Sequence, residues 1–157
     1  MDSIMLRKAV EEDLKFLLRF EQGIIEAERP FDPTLKEGNI HYYDLSAFIR
    51  DVDTEVVVAE HNGKLIGSGY ARIRAAEKFL KHKKYAYLGF MYVSPEFRGQ
   101  GINGKIIASL TRWIRTRGIC EIRLHVYDGN VSAIKAYEQA GFRRHMTTMR
   151  MDLDETP

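Results

Sequence analysis

The chain has 157 residues, of which 45% are hydrophobic and 29% are charged, a balance that excludes disordered and fibrous proteins. Its 24 basic and 22 acidic residues leave a formal charge of +2, which is too small to indicate a nucleic-acid-binding protein. No apolar run approaches the roughly 20 residues of a membrane span or a signal peptide, and the single cysteine, Cys120, cannot form an intramolecular disulfide. We expect one domain over residues 1–157, no membrane or nucleic-acid partner, and a cytoplasmic location.

The first part of the chain predicts a strand, a helix and a long irregular segment. Residues 3–10 alternate loosely, as in a strand, and apolar residues within 14–25 recur at helical spacing. The helical pattern then breaks, because Pro30 and Pro33 push the residues before them out of the helical region. We expect a loop with exposed aromatic residues here, followed by a second, weaker helix over residues 43–50.

A β-hairpin is predicted next. Residues 55–60 include three consecutive valines, which are typical of a buried strand. The Asn62-Gly63 pair that follows is a strong signal for a tight turn, so residues 65–73 should return antiparallel to the valine strand. The charged segment 74–84, which contains four lysines, is interpreted as a solvated loop.

The second half of the chain predicts alternating strands and helices. An apolar strand over residues 85–93 is followed by a polar turn and by a helix that Gly118 ends. We expect a further strand over residues 119–127, a helix that Asn130 caps, and a last strand over residues 146–153. This order predicts an α/β fold with a mixed, mostly antiparallel sheet of about six to seven strands flanked by helices.

The turn between the 85–93 strand and its helix is rich in glycine and is a candidate phosphate site. Gly99, Gly101 and Gly104 allow backbone N–H groups to face outward, and the helix adds the positive end of its dipole. A dinucleotide fold also uses a G-x-G-x-x-G turn, but there the first glycine follows its strand almost at once. A Walker loop needs Ser or Thr after its lysine, where this chain has Ile106. Neither of these two phosphate-binding motifs therefore explains the turn.

Two motifs resemble those of the GNAT acyltransferase superfamily. The first has the pattern V-x-P-x-x-R-G-x-G-I and consists of Val93, Pro95, Arg98, Gly99, Gly101 and Ile102. The second has the pattern N-x-x-A-x-x-x-Y-x-x-x-G-F and consists of Asn130, Ala133, Tyr137, Gly141 and Phe142. The hairpin over residues 56–67 is also similar to the family's second and third strands, so the resemblance covers nearly the whole chain. It implies a GNAT-like fold for residues 1–157, with the acceptor chosen by segment 26–53.

The resemblance implies that acetyl-CoA or another acyl-CoA is the cosubstrate, without a metal. It places the diphosphate on the glycine turn and the pantetheine arm against the end of the central strand. The CoA-binding residues that it implies are Met91, Tyr92, Val93, Arg98, Gly99, Gln100, Gly101, Ile102, Asn103, Gly104, Asn130 and Tyr137. The charge pattern agrees, because residues 98–118 include five basic residues and no acidic one. Among the basic residues, Arg98 and Lys105 are the candidates for phosphate contacts, whereas Asn103 stands where the family usually has a smaller residue.

The resemblance implies a catalytic acid and leaves the base open. Tyr137 matches the family position that usually protonates the departing thiolate. Gly89 favours a bulge or a close backbone approach, and a freed N–H group there would stabilise the oxyanion; simple loss of packing is the alternative. Many relatives place a glutamate on the central strand, which residues 85–92 lack. The remaining candidates for the base are an ordered water chain, Glu26, Glu28, Asp44 and His125.

We therefore expect an N-acetyltransferase that moves an acetyl group from acetyl-CoA directly to a primary amine of a small molecule or peptide. Tyr42, Tyr43, Tyr70 and Tyr87 are candidates for the wall of its acceptor pocket, and a homodimer is left open. One alternative is a non-catalytic acyl-CoA-binding or regulatory module, which the missing strand carboxylate suggests. Another is nucleic-acid binding, which the lysine and arginine clusters suggest.

Overall fold

The computed structural model of the protein describes residues 3–155 and has an α/β architecture built on one five-stranded sheet. The strands lie across the sheet in chain order. They are β1 (Ile4–Lys8), β2 (Thr54–His61), β3 (Lys64–Ala75), β4 (Lys84–Val93) and β5 (Ile122–Arg123). The first four are antiparallel to their neighbours, whereas β5 is parallel to β4. The predicted class, a mixed and mostly antiparallel sheet flanked by helices, is confirmed.

The described residues also form four α-helices. They are α1 (Leu14–Glu28), α2 (Leu45–Arg50), α3 (Ile102–Thr116) and α4 (Val131–Gln139). Both α1 and α3 bury one apolar stripe, which drives their docking. The shorter α2 begins where Asp44 Oδ1 accepts a hydrogen bond from Ala47 N at 3.2 Å. Within residues 3–155, no helix is long and apolar enough to cross a membrane.

The two faces of the sheet are covered by different helices. A Cβ atom added to Gly69 of β3 would lie 2.7 Å from the Ile106 side chain of α3, so α3 packs closely against that face. The next residue, Tyr70, packs edge-on against Phe48 of α2, with ring centroids 5.4 Å apart. Because successive strand residues point to opposite faces, α2 and α3 lie on opposite sides of β3.

The chain divides into two compact units, residues 1–125 and residues 126–157. The first unit contains the sheet together with α1, α2 and α3. The second contains α4, which begins at a hydrogen bond of 3.3 Å from Ala133 N to Asn130 Oδ1. The expectation of one domain over residues 1–157 stays a prediction.

The expected strand count of six to seven is wrong, because the described residues form five strands. Residues 146–153 were expected to form the last strand, but within 126–155 no strand is available to accept their backbone hydrogen bonds. Their apolar side chains are instead exposed, Met149 at 90%. A strand was expected over 119–127, but only the two residues of β5 form one. They pair with Ala86 and Tyr87 of β4, just before an irregularity in the pairing of β4 with β3.

Candidate active site

A β-bulge interrupts β4 in the middle of the sheet. Tyr70 of β3 pairs with Gly89, but Ser68 pairs with Tyr92, so two residues of β4 oppose one residue of β3. Phe90, inside the bulge, has a φ of 57°, which is rare for a residue with a side chain. The carbonyl of Phe90 accepts a buried hydrogen bond of 3.0 Å from Ser68 Oγ. The bulge that Gly89 predicts is therefore present, and a cross-strand hydrogen bond holds it.

The glycine at position 89 is required by its neighbour on β3. A Cβ atom added to Gly89 would lie 2.5 Å from the ring of Tyr70, closer than van der Waals contact allows. The Tyr70 ring thus occupies the volume that a side chain at position 89 would need. Of the sequence interpretations of Gly89, the bulge is observed, the close neighbour is a side chain and not backbone, and the oxyanion role of a freed N–H group stays a prediction.

The glycine turn follows β4 and is open on its outer side. Gly99 and Gly101 have φ values of 76° and 79°, and Gly101 is the N-cap residue that precedes α3. Cβ atoms added to Gly99, Gly101 or Gly104 would meet no atom within 4 Å. Arg98 Nε donates a hydrogen bond of 3.0 Å to the carbonyl of Val93, which ties the turn to the strand end. Backbone N–H groups of the first turn of a helix have no partner within the helix, so an anion fits here.

The other predicted CoA-binding residues lie on either side of this turn or in the second unit. Met91, Tyr92 and Val93 form the end of β4 after the bulge. The Tyr92 ring stacks on Phe20 of α1 with centroids 4.5 Å apart, which leaves its backbone as the part available to a ligand. Gln100 Nε2 lies 3.4 Å from the Glu96 carbonyl.

Two further predicted residues, Asn103 and Lys105, belong to the first turn of α3. Asn103 is half-buried and Lys105 is exposed. In the second unit, Asn130 caps α4, and the Tyr137 ring packs edge-on against Phe142 with centroids 5.8 Å apart. Of the two roles considered for Asn130, the helix cap is therefore observed.

Four tyrosines lie together beside the bulge and are called the tyrosine cluster here: Tyr42, Tyr43, Tyr70 and Tyr87. The Tyr43 ring lies edge-on to the rings of Tyr70 and Phe90, with centroids 5.4 and 5.5 Å apart. Burial raises the pKa of the Tyr70 hydroxyl to about 12 and that of Tyr43 further. These hydroxyls therefore stay protonated at neutral pH, so each keeps a proton that it can donate.

Glu28 places a carboxylate in the tyrosine cluster. Burial raises its pKa above the usual value for glutamate, a hydrogen bond from Tyr42 offsets part of this rise, and the charge of Asp32 adds to it. Glu28 in turn contributes to the raised pKa values of Tyr43 and Tyr87, for which burial is the main cause. Among the base candidates named from the sequence, Glu28 is thus the one with a carboxylate held partly away from water inside the tyrosine cluster.

The remaining base candidates have other partners. Glu26 is 70% exposed and pairs with Arg29 at 2.9 Å. Asp44 caps α2. His125 is exposed and lies edge-on to Tyr87 with ring centroids 5.3 Å apart. These contacts give each of the three a structural explanation.

A buried carboxylate that the sequence analysis missed organises the segment before α2. Glu21 of α1 has a side chain that is fully buried and lies 2.7 Å from His41 Nδ1. Its second oxygen accepts hydrogen bonds of 2.9 Å from the backbone N–H groups of Tyr42 and Tyr43. One signal was available, since Glu21 falls four residues after Leu17 on the apolar stripe of α1, where a charge requires partners.

Segment 32–44 has no helix or strand and is held by α1 and the residues after it. Gln22 Nε2 donates a hydrogen bond of 2.8 Å to the carbonyl of Ile40. Arg29 Nη1 and Nη2 donate to the carbonyls of Lys36 and Gly38 at 2.8 and 2.7 Å. These bonds, with those of Glu21, fix the path that brings Tyr42 and Tyr43 into the tyrosine cluster.

Comparison with known proteins agrees with this geometry. A family model described as "Acetyltransferase (GNAT) family" matches residues 21–142, which include the bulge, the glycine turn and α4. The chain therefore belongs to the GNAT acetyltransferase family, and it is an enzyme of the N-acetyltransferase type. The resemblance and the enzyme class that the sequence predicts are confirmed.

Individual relatives fall in the same class. A thialysine N-epsilon-acetyltransferase of Sus scrofa is 30% identical over 150 residues, which cover 91% of this chain and 86% of the relative. A glucosamine 6-phosphate N-acetyltransferase of Trypanosoma brucei brucei is 28% identical over 101 residues, 64% of this chain and 65% of the relative. The crystal structure of a predicted acetyltransferase with acetyl-CoA from Clostridium acetobutylicum has a TM-score of 0.77 at 20% identity and covers 96% of this chain and 97% of its own.

Replacement of Glu21 should destabilise the protein more than replacement of its histidine partner. Glu21→Gln keeps the size of the side chain but removes the charge that three donors share, and we expect a loss of about 1.5–3 kcal/mol in the free energy of unfolding. His41→Ala is the matched control, because His41 is 55% exposed and water replaces its bond. Urea unfolding measures both variants, and an equal loss in the two would contradict the anchoring role of Glu21.

Proposed function

We propose that this enzyme moves the acetyl group of acetyl-CoA directly to a primary amine of a small molecule or peptide, without a covalent intermediate. The observation that carries the proposal is the continuity of the β4 bulge with the glycine turn. Past the bulge β4 pairs again with β3, whereas β5 pairs with β4 only at Ala86 and Tyr87 among the described residues. The edge of β4 away from β3 therefore suits the amide-bearing pantetheine arm, and an open helix start suits a diphosphate. The C. acetobutylicum neighbour, a predicted acetyltransferase with acetyl-CoA, supports the choice of donor.

In this proposal the glycine turn holds the diphosphate. N–H groups of the first turn of α3 donate to its oxygens, and the open positions beside Gly99 and Gly101 leave room for it. Arg98 is already oriented by its bond to Val93, so it and Lys105 add positive charge at the rim. The backbones of Met91, Tyr92 and Val93 bind the pantetheine amides as a neighbouring strand would.

Glu28 is the general base in this proposal. Acetyl-CoA supplies the activated thioester, and the protein has to supply a neutral amine and a proton for the thiolate. Glu28 combines partial burial, a raised pKa and a hydrogen bond from Tyr42, a combination that suits a carboxylate that accepts a proton from an ammonium group. The Tyr43 hydroxyl, whose pKa burial raises, is within electrostatic reach of Glu28. The named substrates of the two relatives, thialysine and glucosamine 6-phosphate, are amines and support this acceptor class.

Tyr137 is the proposed acid, and Asn130 the proposed ligand of the pantetheine arm. The support is their match to the second family motif within the matched residues 21–142. The Tyr137 ring also packs on Phe142. The Phe142 N–H donates a hydrogen bond of 3.0 Å to the Tyr137 carbonyl. Both ring and backbone of the proposed acid are therefore held in place within α4 and its end.

The direct experiment measures release of the CoA thiol from acetyl-CoA over a panel of primary amines and peptides, with the acetylated product identified by mass spectrometry. We expect release that depends on the acceptor. Thiol release without an acetylated amine would indicate thioester hydrolysis, and binding of acetyl-CoA with no turnover on any acceptor would overturn the proposed function.

Loss of the proposed base should lower turnover with little effect on CoA binding. Glu28→Gln should reduce kcat by about 10²- to 10⁴-fold. In the unaltered enzyme, kcat should fall on acidification at a higher pH than an ordinary glutamate with a pKa near 4.3 would give, because the pKa of Glu28 is raised. This acidic limb should disappear in the variant.

Glu26→Gln is the matched control for this measurement, since Glu26 lies on the same helix and is 70% exposed. Its ion pair with Arg29 is of the surface type that contributes little stability, and Arg29 keeps its bonds to Lys36 and Gly38. Equal losses of kcat in the two variants would rule Glu28 out as the base.

Removal of the Tyr137 hydroxyl should affect the chemical step. Tyr137→Phe keeps the ring that packs on Phe142, so we expect an unchanged dissociation constant for CoA and a kcat lowered by about 10²-fold or more. Tyr127→Phe, another tyrosine of the second unit, is the control. A Tyr137→Phe enzyme that keeps full turnover across the pH range would exclude the acid role.

A further inference from the structure

One face of the sheet carries arginine and tyrosine side chains next to the tyrosine cluster. Arg74 of β3 pairs with Tyr85 of β4, and Tyr87 of β4 pairs with Arg123 of β5. Residues directly opposite each other on neighbouring strands project from the same face, and so do alternate residues of one strand. These four residues therefore share one face, and we call them the arginine–tyrosine platform.

The rings of the platform support its guanidinium groups. Arg74 Cζ lies 4.1 Å from the ring centroid of Tyr87, and Arg123 Cζ lies 5.1 Å from that of Tyr85. A guanidinium that stacks on a ring keeps its N–H groups at the edge, where they donate to an oxyanion in a forked geometry. The two ring contacts thus hold both cations in place, and the contacts themselves use no hydrogen-bond donor.

The charge of Arg74 is not neutralised by a carboxylate. Within residues 3–155, Arg74 forms no salt bridge. Arg123 pairs through Nε with Glu121 at 3.1 Å, and its Nη2 lies 3.4 Å from His82. The neighbouring Arg72 is engaged differently, since its guanidinium lies 4.0 Å from the ring of Phe48 in α2. The platform is therefore a site of net positive charge centred on Arg74.

The platform adjoins the carboxylate proposed as the base. Burial is the main cause of the raised pKa of Tyr87, and the charge of Arg74 lowers this pKa while that of Glu28 raises it. The Tyr87 hydroxyl is thus within electrostatic reach of both groups. Arg74 packs on the Tyr87 ring, and Glu28 is within electrostatic reach of the same tyrosine.

We propose that the arginine–tyrosine platform binds an anionic group, a carboxylate or a phosphate, on the same acceptor whose amine is deprotonated at Glu28. The acceptor class is then an amine that also carries an oxyanion. This inference rests on the proposed function. It adds a specificity determinant, Arg74, that touches the substrate away from the reacting nitrogen.

The experiment compares acceptors that differ only in the anionic group. L-lysine is paired with cadaverine, which lacks the carboxylate, and O-phosphoethanolamine is paired with ethanolamine, which lacks the phosphate. In at least one pair the anionic member should have a kcat/KM roughly 10- to 100-fold higher, the range of a hydrogen-bonded charge pair. The pair that shows the larger ratio identifies the source of the oxyanion.

Arg74→Gln should collapse this ratio toward one, mainly through KM of the anionic acceptor. Arg115→Gln, which removes an exposed arginine of α3, is the charge-matched control and should leave the ratio unchanged. Equal kcat/KM within both pairs, or a ratio that Arg74→Gln does not lower, overturns the platform while the proposed function stands.

If none of the four compounds is acetylated, binding of lysine and O-phosphoethanolamine to the protein is measured by calorimetry in the millimolar range. Binding that Arg74→Gln removes and Arg115→Gln keeps supports the platform, and absence of binding overturns it. Failure of the proposed function has a different signature, since no amine of the wider panel would then release the CoA thiol.

Discussion

The packing of the Tyr70 ring against Gly89 is the constraint on which both halves of the site depend. A side chain at position 89 would overlap this ring, so β4 passes here only as glycine, turns through Phe90 at positive φ and rejoins its partner at Tyr92. The tyrosine cluster lies on one side of this break. The backbone edge and the glycine turn lie on the other side, so one local irregularity separates the region proposed for the acceptor from the region proposed for the donor.

Two glutamates of α1, Glu21 and Glu28, differ in how deeply they are buried and in how many hydrogen-bond donors surround them. Glu21 is fully buried and saturated by His41 and two backbone N–H groups, so its charge is used to hold the segment before α2. Glu28, about two turns further along, is half-buried and has a raised pKa. On the same helix, the glutamate at position 21 thus has all its oxygens engaged by donors, whereas the one at position 28 has the environment of the proposed base.

Local patterns predicted the elements of the site that depend on neighbouring residues in sequence. The glycine turn, the Gly89 bulge and the Asn130 cap each follow from backbone requirements within a few residues. The role of Glu21 was missed because its partners are some twenty residues away in a segment without periodicity. The last strand was wrongly expected because alternation describes one strand, whereas a strand forms only with a partner.

The hydrogen bonds by which Glu21, Gln22 and Arg29 hold segment 32–44 all end on its main chain, except the contact of Glu21 with His41. Glu21, Gln22 and Arg29 bind the backbone at positions 36, 38, 40, 42 and 43. Side chains within the segment are therefore free to vary without loss of these anchors. The path of the segment from α1 to α2 is thus set by Glu21, Gln22 and Arg29, so its own sequence can diverge while that path is kept.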